Sequence, residues 1–369
     1  RVDLRKSPNA DFTKESTEIS LEQRRFLEPI VIRRSRLDLE YITRYRKDLE
    51  RQNISFPKVE GPTLLEYDLK GLGQLYLDTL SQIGDSESTD GFIGARYKPA
   101  TYIIERDKFL EKYGSAVDDV DLKVAQTNLS DFMRKLLVMR FESSKFAFRT
   151  TLERMIGNNK LIINWWEKLE VVPIMKKGQL PDPDDYSIED GEFADDLEAK
   201  LEQLRNTKGL LEIPAEWVDP QFILDVRHDT EVLQTIHDSW FSDPLLEELD
   251  PKTDELEAQI QRLLKENPER KIVIFSAYAD TVNYVSKLLI DRGMPGILSF
   301  TAADSSKENR KTLLSNFDAA YAIGPQEDDY QVLICTDALS EGVNLHRAGV
   351  VINYDIPYNP TRVIQRIGR

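Results

Sequence analysis

KIVIFSAYADTVNYVSKLLI, residues 271–290, decides the fold. Its first five residues are a short apolar run, and Asp280–Asp291 then carries apolar residues at helical spacing up to a stop at Gly293. A strand without polar alternation is one buried on both faces, as happens in parallel sheets clothed by helices. The alternation repeats downstream. Ile297–Phe300 reads as a second strand, Ser306–Phe317 as a second helix, Gln331–Cys335 as a third strand and Val350–Tyr354 as a fourth. Upstream, Asp254 and Glu257 are spaced to cap a helix that ends near Asn267-Pro268. The expected fold class is therefore α/β, a parallel sheet flanked by helices. In such sheets ligands meet the loops at the carboxyl ends of the strands.

Those loops hold the candidate chemistry. After the third strand comes Thr336-Asp337-Ala338-Leu339-Ser340-Glu341-Gly342-Val343-Asn344-Leu345, small and polar enough for backbone N–H groups and hydroxyls to approach a phosphate. The last residues, Asn359 to Arg369, place Arg362, Gln365, Arg366 and Arg369 on and just beyond the first turns of a helix. Guanidinium suits planar, multidentate recognition of phosphate.

On these residues the chain resembles the superfamily-two helicases. ICTDALSEGVNL (334–345) is similar to their motif V, and VINYDIPYNPTRVIQRIGR (351–369) to the run into motif VI. The Asn-Pro before the helix narrows the resemblance to Swi/Snf-like translocases, the bacterial RNA-polymerase-associated-translocase-like group above all. KIVIFSAYADTVNYVSKLL (271–289) is similar to the family's motif IV, and FLEPIVIRRSRLDL (26–39) with FPKVEGPTLLEYDL (56–69) to the segment that links its two lobes. LLVMRFESSKFAFRTTLERM (136–155) resembles a helix of bacterial members.

The resemblance implies a RecA-like C-terminal lobe of an ATP-driven motor on double-stranded DNA, with RNA as the other candidate substrate. It implies that Arg369 and Arg366 serve catalysis, with Arg369 reaching the γ-phosphate. It further implies that Gln365, Gly342, Glu341 and Asn344 face the nucleotide. Thr336, Ser276, Tyr278 and Thr301 are expected at the nucleic-acid backbone, although capping of their own loops is the competing reading for the last three. Arg33 and Arg34 resemble paired arginines of the lobe junction, with helix-surface charge as the competing reading. ATP and Mg²⁺ would sit between two lobes. The chain has no Gly-x-x-x-x-Gly-Lys-Ser/Thr loop and no Asp-Glu-x-His strand. The expectation is thus a fragment without its first RecA-like lobe, inactive by itself. The alternative is a catalytically inactive module on the same fold that binds nucleic acid or protein.

Working outward, residues 1–70 read as the lobe-linking segment, with a capped helix from Ser20-Leu21-Glu22-Gln23 and a short strand at Thr63–Leu69. Residues 71–250 read as a mainly helical insertion. Its longest helix is expected from Leu129 to Ile156, stopping at Gly157-Asn158-Asn159. The basic side chains from Arg134 to Arg154 fit either a DNA-tracking face or an amphipathic helix packed on a core. Residues 251–369 form the lobe.

The chain's net charge is −16, yet Gly178–Leu256 alone holds 23 Asp+Glu against 5 Lys+Arg, which leaves +2 for the remainder. The acidity belongs to one segment, 178–250, expected as a solvated part rather than a DNA mimic, with a further surface helix at Phe193–Leu211 and as a candidate site for a protein partner. One cysteine, Cys335, excludes an internal disulfide, and with only His228, His237 and His346 a metal centre has little to stand on. No apolar run approaches the roughly 20 residues of a membrane span, so the expected location is cytoplasmic, at the nucleoid in a bacterium.

Overall fold

The computed structural model describes residues 42–51, 60–85, 90–114, 119–174, 210–304, 306–340, 343–357 and 360–368. Two compact units divide the chain, Arg1–Leu65 and Glu66–Arg369. In the first, helix α1 (Thr43–Arg51) has no buried residue and carries the ion pair Arg51–Asp48 at 2.8 Å. The expected strand at 63–69 does not form; residues 60–69 have no regular structure. The expected helix at Ser20 and most of Phe193–Leu211 lie outside the described residues.

The second unit opens with α2 (Gly73–Gly84), two 3-10 turns (Ala95–Tyr97 and Pro99–Tyr102) and α3 (Arg106–Tyr113). Two long helices follow, α4 (Asp119–Ser143) and α5 (Lys145–Leu169). This corrects the single helix expected from Leu129 to Ile156. Ser144 takes an extended backbone (φ −152, ψ 153) and its hydroxyl accepts the Ala147 N–H as an N-cap. At the other end, Gly157 is helical, and the helix runs on to Leu169 because Met155, Ile156 and Asn159 are buried. A glycine costs about 1 kcal/mol inside a helix, which that packing outweighs.

Strands β1 (Val171–Ile174) and β2 (Leu211–Pro214) then pair antiparallel. Helix α6 (Gln221–Phe241) and the short α7 (Pro244–Glu248) close the helical part. Phe222, Val226, Leu233, Ile236 and Trp240 form the buried stripe of α6. Residues 221–241 are thus a packed helix and not the solvated chain expected there. Phe141, Phe148 and Trp240 centre one core, with ring centroids 4.7 and 5.3 Å apart.

The parallel sheet follows expectation closely. Helix α8 (Pro251–Glu266) leads into β3 (Lys271–Ser276), α9 (Ala279–Asp291), β4 (Ile297–Phe300), α10 (Lys307–Phe317), β5 (Val332–Thr336), β6 (Ala348–Asn353) and α11 (Pro360–Ile367). The N-cap of α8 is Asp250, whose carboxylate accepts the Thr253 N–H at 3.1 Å, and not Asp254. The strand order is β4-β5-β3-β6, all parallel.

Period-two burial explains how both faces are filled. Ile272, Ile274, Val332 and Ile334 pack with α8 and α9, while Val273, Phe275, Leu333 and Cys335 pack with α10 and the β5–β6 connection. The chain moves one way from β3 to β4 and the other way afterwards, so right-handed crossovers put the connections on opposite faces. Among the described residues no helix is long and apolar enough to cross a membrane.

Candidate functional site at the carboxyl edge of the sheet

Every parallel strand ends at the same edge, so Ser276, Thr301, Thr336 and Asn353 follow or close neighbouring strands there. Thr336 and Ser276 are direct register partners. The centre of this edge is Arg366, only 2% exposed. Its Nε and Nη2 donate to the two oxygens of Asp337 at 2.7 and 2.5 Å. Its Nη1 donates to the Asn353 side-chain oxygen at 2.8 Å and to the Asp355 carbonyl at 3.1 Å. The guanidinium also lies 5.2 Å from the Phe275 ring centroid. Burying an arginine this deeply requires an opposing charge and nearly complete hydrogen bonding, and Asp337, Asn353 and Asp355 provide both. Arg366 therefore faces inward and fastens α11 to the sheet. Arg362, on the preceding turn, reaches Asp337 at 3.6 Å, and Gln365 is exposed.

The side chains expected at nucleic acid lie beneath this edge. Ser276, Tyr278, Thr301 and Thr336 are between 1% and 3% exposed. Ser276 donates its hydroxyl proton to Asp355 and accepts the Tyr278 N–H at 3.3 Å. Thr301 turns back on its own loop, its N–H and hydroxyl both donating to Asp304 at 2.8 and 2.9 Å. The Thr301 hydroxyl thus bonds within its own loop, whereas the Ser276 hydroxyl serves both the Tyr278 N–H two residues on and the distant Asp355. Tyr278 packs under the Arg140 guanidinium, 4.6 Å from its ring centroid. Asn344 is exposed. Arg369, Glu341, Gly342, Arg33 and Arg34 lie outside the described residues.

A second carboxylate, Asp355, was not singled out by sequence. It follows β6 and binds residues of α4, α8 and β3 and of the β3–α9 loop. Its Oδ2 accepts from Ser276, from the Ala277 N–H at 3.1 Å and from the Ser143 hydroxyl at 3.1 Å, and its Oδ1 from Lys252 at 3.3 Å. Ser143 lies on α4, so the helical part reaches the sheet edge directly. Arg140, one turn earlier and 1% exposed, donates to Thr151 at 3.1 Å and to Asp280 at 3.1 Å. Three of the basic residues of α4 and α5 are held by the protein itself, while Lys135 and Arg154 are exposed. Besides Arg140, Lys145 donates to the carbonyls of Leu246, Glu247 and Leu249, and Arg149 pairs with Glu153 and Glu247. The thiol of Cys335 is pushed up by complete burial and stays protonated in the core.

The only local sign of the Arg366–Asp337 pair was that Asp337 stood in a polar motif at a strand end and Arg366 in one on the helix after the last strand. Nothing in the spacing pointed to Asp355, because its partners come from residues 143, 252, 276 and 277.

Residues 255–369 match the family described as helicase conserved C-terminal domain. Over 111 residues the chain is 34% identical to the uncharacterized ATP-dependent helicase YqhH of Bacillus subtilis, covering 30% of this chain and 18% of that protein. It is 31% identical over 107 residues to DEAD-box ATP-dependent RNA helicase 10 of Arabidopsis thaliana, which covers 29% of this chain and 21% of the relative. The chain thus spans about a fifth of the length of these curated relatives. Among solved structures, the Pyrococcus furiosus Hef helicase domain aligns over 80% of this chain and 50% of its own, at 13% identity and a TM-score of 0.38. The C-terminal part of the Fun30 ATPase domain aligns over 82% and 77%, at 15% identity and a TM-score of 0.32. The parallel sheet and its edge thus fall within the stretch, residues 255–369, that matches the helicase conserved C-terminal domain.

Proposed function

We propose that residues 255–369 act as the second, RecA-like lobe of an ATP-dependent helicase or translocase of the Swi/Snf-like kind, working on double-stranded DNA, with RNA as the other candidate. One observation carries the reading. The stretch that matches the helicase domain is also the stretch that folds as one parallel sheet, with an arginine-bearing helix pinned to its ligand edge. When bound between two lobes, ATP with Mg²⁺ supplies the free energy through phosphoryl transfer to water.

The residues present fit an anion better than a metal. Arg362 and the exposed Gln365 stand on α11, while no cluster of three or more His, Cys, Asp or Glu side chains able to hold a metal occurs among the described residues. In this reading magnesium is held by the nucleotide and the first lobe. Arg366 acts by holding α11 at the edge, so that Arg362 and Gln365 keep a fixed place relative to the strand ends.

Nucleic acid would meet the loops after β3, β4 and β5, and would reach the Thr336 hydroxyl only by close approach of a phosphate. The test is a titration of this chain with duplex DNA and duplex RNA at several salt concentrations. Binding should weaken as salt rises, since phosphate contacts release counterions. Thr336→Val keeps the side-chain shape and removes the hydroxyl, and should weaken binding about fivefold, the size of one hydrogen bond. Absence of salt-sensitive binding to either duplex, with the fold intact by circular dichroism, would sink the motor-lobe reading.

A further inference from the structure

The helical part and the lobe meet through a line of hydroxyl groups whose direction the chemistry sets. Ser144 and Thr281 oxygens are 2.8 Å apart, Thr281 and Ser143 oxygens 2.7 Å, and Ser143 donates to the Asp355 carboxylate at 3.1 Å. Each hydroxyl has one proton to give. Ser143 gives its proton to the carboxylate, so Thr281 must give to Ser143, and Ser144 must give to Thr281. Ser144 meanwhile accepts the Ala147 N–H that starts α5. The run is buried throughout, with Ser143 at 1%, Ser144 at 5% and Thr281 at 0% exposure. Buried polar runs of this kind reinforce one another and admit few alternatives.

What the run holds is the loop between β3 and α9. Thr281 lies in the first turn of α9, and Asp355 also binds Ser276 and the Ala277 N–H at the start of that loop. The carbonyl of the same Asp355 accepts from Arg366, which fastens α11. Displacing the Ser143–Ser144 turn therefore disturbs both ends of the β3–α9 loop and the anchor of α11 together.

We propose that the α4–α5 turn is a positioning element of the motor edge, with Ser143 the positioning residue that acts through Asp355. The helical insertion would then set the geometry with which the β3–α9 loop meets nucleic acid. The functional half of this inference rests on the motor-lobe reading above; the structural half does not.

The experiment uses Ser143→Ala and Thr281→Val, the second keeping a β-branched shape while removing the hydroxyl. Segment-resolved hydrogen exchange of the chain is measured beside duplex-DNA titration. Both variants should exchange faster over 276–281 and 355–368, with 307–317 at the wild-type rate, and should bind DNA about fivefold more weakly. In the intact two-lobe protein, the DNA concentration for half-maximal ATP hydrolysis should rise about fivefold while the maximal rate stays within about twofold. Faster exchange confined to 136–152, or spread evenly over the chain, would overturn the proposal by showing plain packing. Unchanged DNA affinity with the expected exchange pattern would overturn the functional half. Wild-type chain that binds no nucleic acid would instead refute the motor-lobe reading, while the exchange pattern still decides the coupling.

Discussion

Arg366 is the point at which a single substitution should release one helix and leave the lobe standing. Helix α11 has eight residues, and Arg366 is its one buried side chain among those described; Ile364 is 69% exposed. A helix this short is marginal in water by propensity alone, so its place depends on that guanidinium. Arg366→Ala removes the two-point pair with Asp337 and the bonds to Asn353 and the Asp355 carbonyl. It also leaves the Asp337 carboxylate, 13% exposed in the wild type, with Arg362 at 3.6 Å as its remaining cation. Breaking one side of a buried ion pair costs about 3–5 kcal/mol. Because Arg362 can move closer, the low end is expected, about 3 kcal/mol.

Written as a local opening equilibrium, that is roughly a hundredfold loss of protection for the α11 amides. The Gly368 N–H, bonded to the Ile364 carbonyl at 3.0 Å, is a suitable reporter. Arg366→Lys keeps the charge but cannot span three partners with one ammonium, so it should fall between wild type and alanine. The double variant Arg366→Met with Asp337→Leu removes both charges and should lose less protection than Arg366→Ala. The assay is hydrogen exchange over 360–368, read beside urea unfolding of the whole chain, whose midpoint should move less than the local protection. If Arg366→Ala leaves α11 as protected as in wild type, the anchor argument is wrong.

Why were the lobe strands legible and the site only partly so? KIVIF, QVLIC and VVINY are apolar without alternation because helices cover both faces, and that information is local to each run. The break at Ser144 was not local. Apolar periodicity continues from Leu136 to Leu152, and what ends α4 is a hydroxyl run completed by Thr281 and Asp355, more than a hundred residues away. The stripe of α6 was on the page as Phe222, Val226, Leu233, Ile236 and Trp240, but the surrounding acidity concealed it. Average charge says little about a helix whose charges lie on the outer face. The β1–β2 pair joins two four-residue strands across a long connection, too short a pattern to read from periodicity.

At the edge, resemblance pointed to α11 and could not say which way its arginines face. Arg366 turns inward because Asp337, Asn353 and the Asp355 carbonyl converge on it, a geometry that exists only once β3, β5 and β6 are neighbours.

Two further outcomes are expected. On the proposed motor-lobe reading, Arg369→Ala and Arg369→Lys in a two-lobe protein should both lose most DNA-stimulated ATP hydrolysis while still binding DNA, since a finger arginine in GTPases is worth roughly 10³–10⁵ in rate and lysine lacks the planar fork. Activity above about half of wild type in both variants would remove Arg369 from that role. The other concerns Asp229, which is 1% exposed and accepts the N–H groups of Ile93 and Ala95 at 2.6 and 2.8 Å. Burial outweighs those donors and pushes its carboxyl from 3.8 up to about 6. Between those values the unfolded chain has lost its proton while the folded chain keeps it. Stability from this group is therefore greatest below about pH 4, falls as pH rises towards about 6, and is level above that. A shift of this size amounts to about 3 kcal/mol. Asp229→Asn cannot ionise, so the difference in unfolding free energy between wild type and variant should change by about 2 kcal/mol of that from pH 4 to pH 7, with wild type losing ground. Parallel curves across that range would show that Asp229 is ionised throughout, its backbone donors outweighing burial.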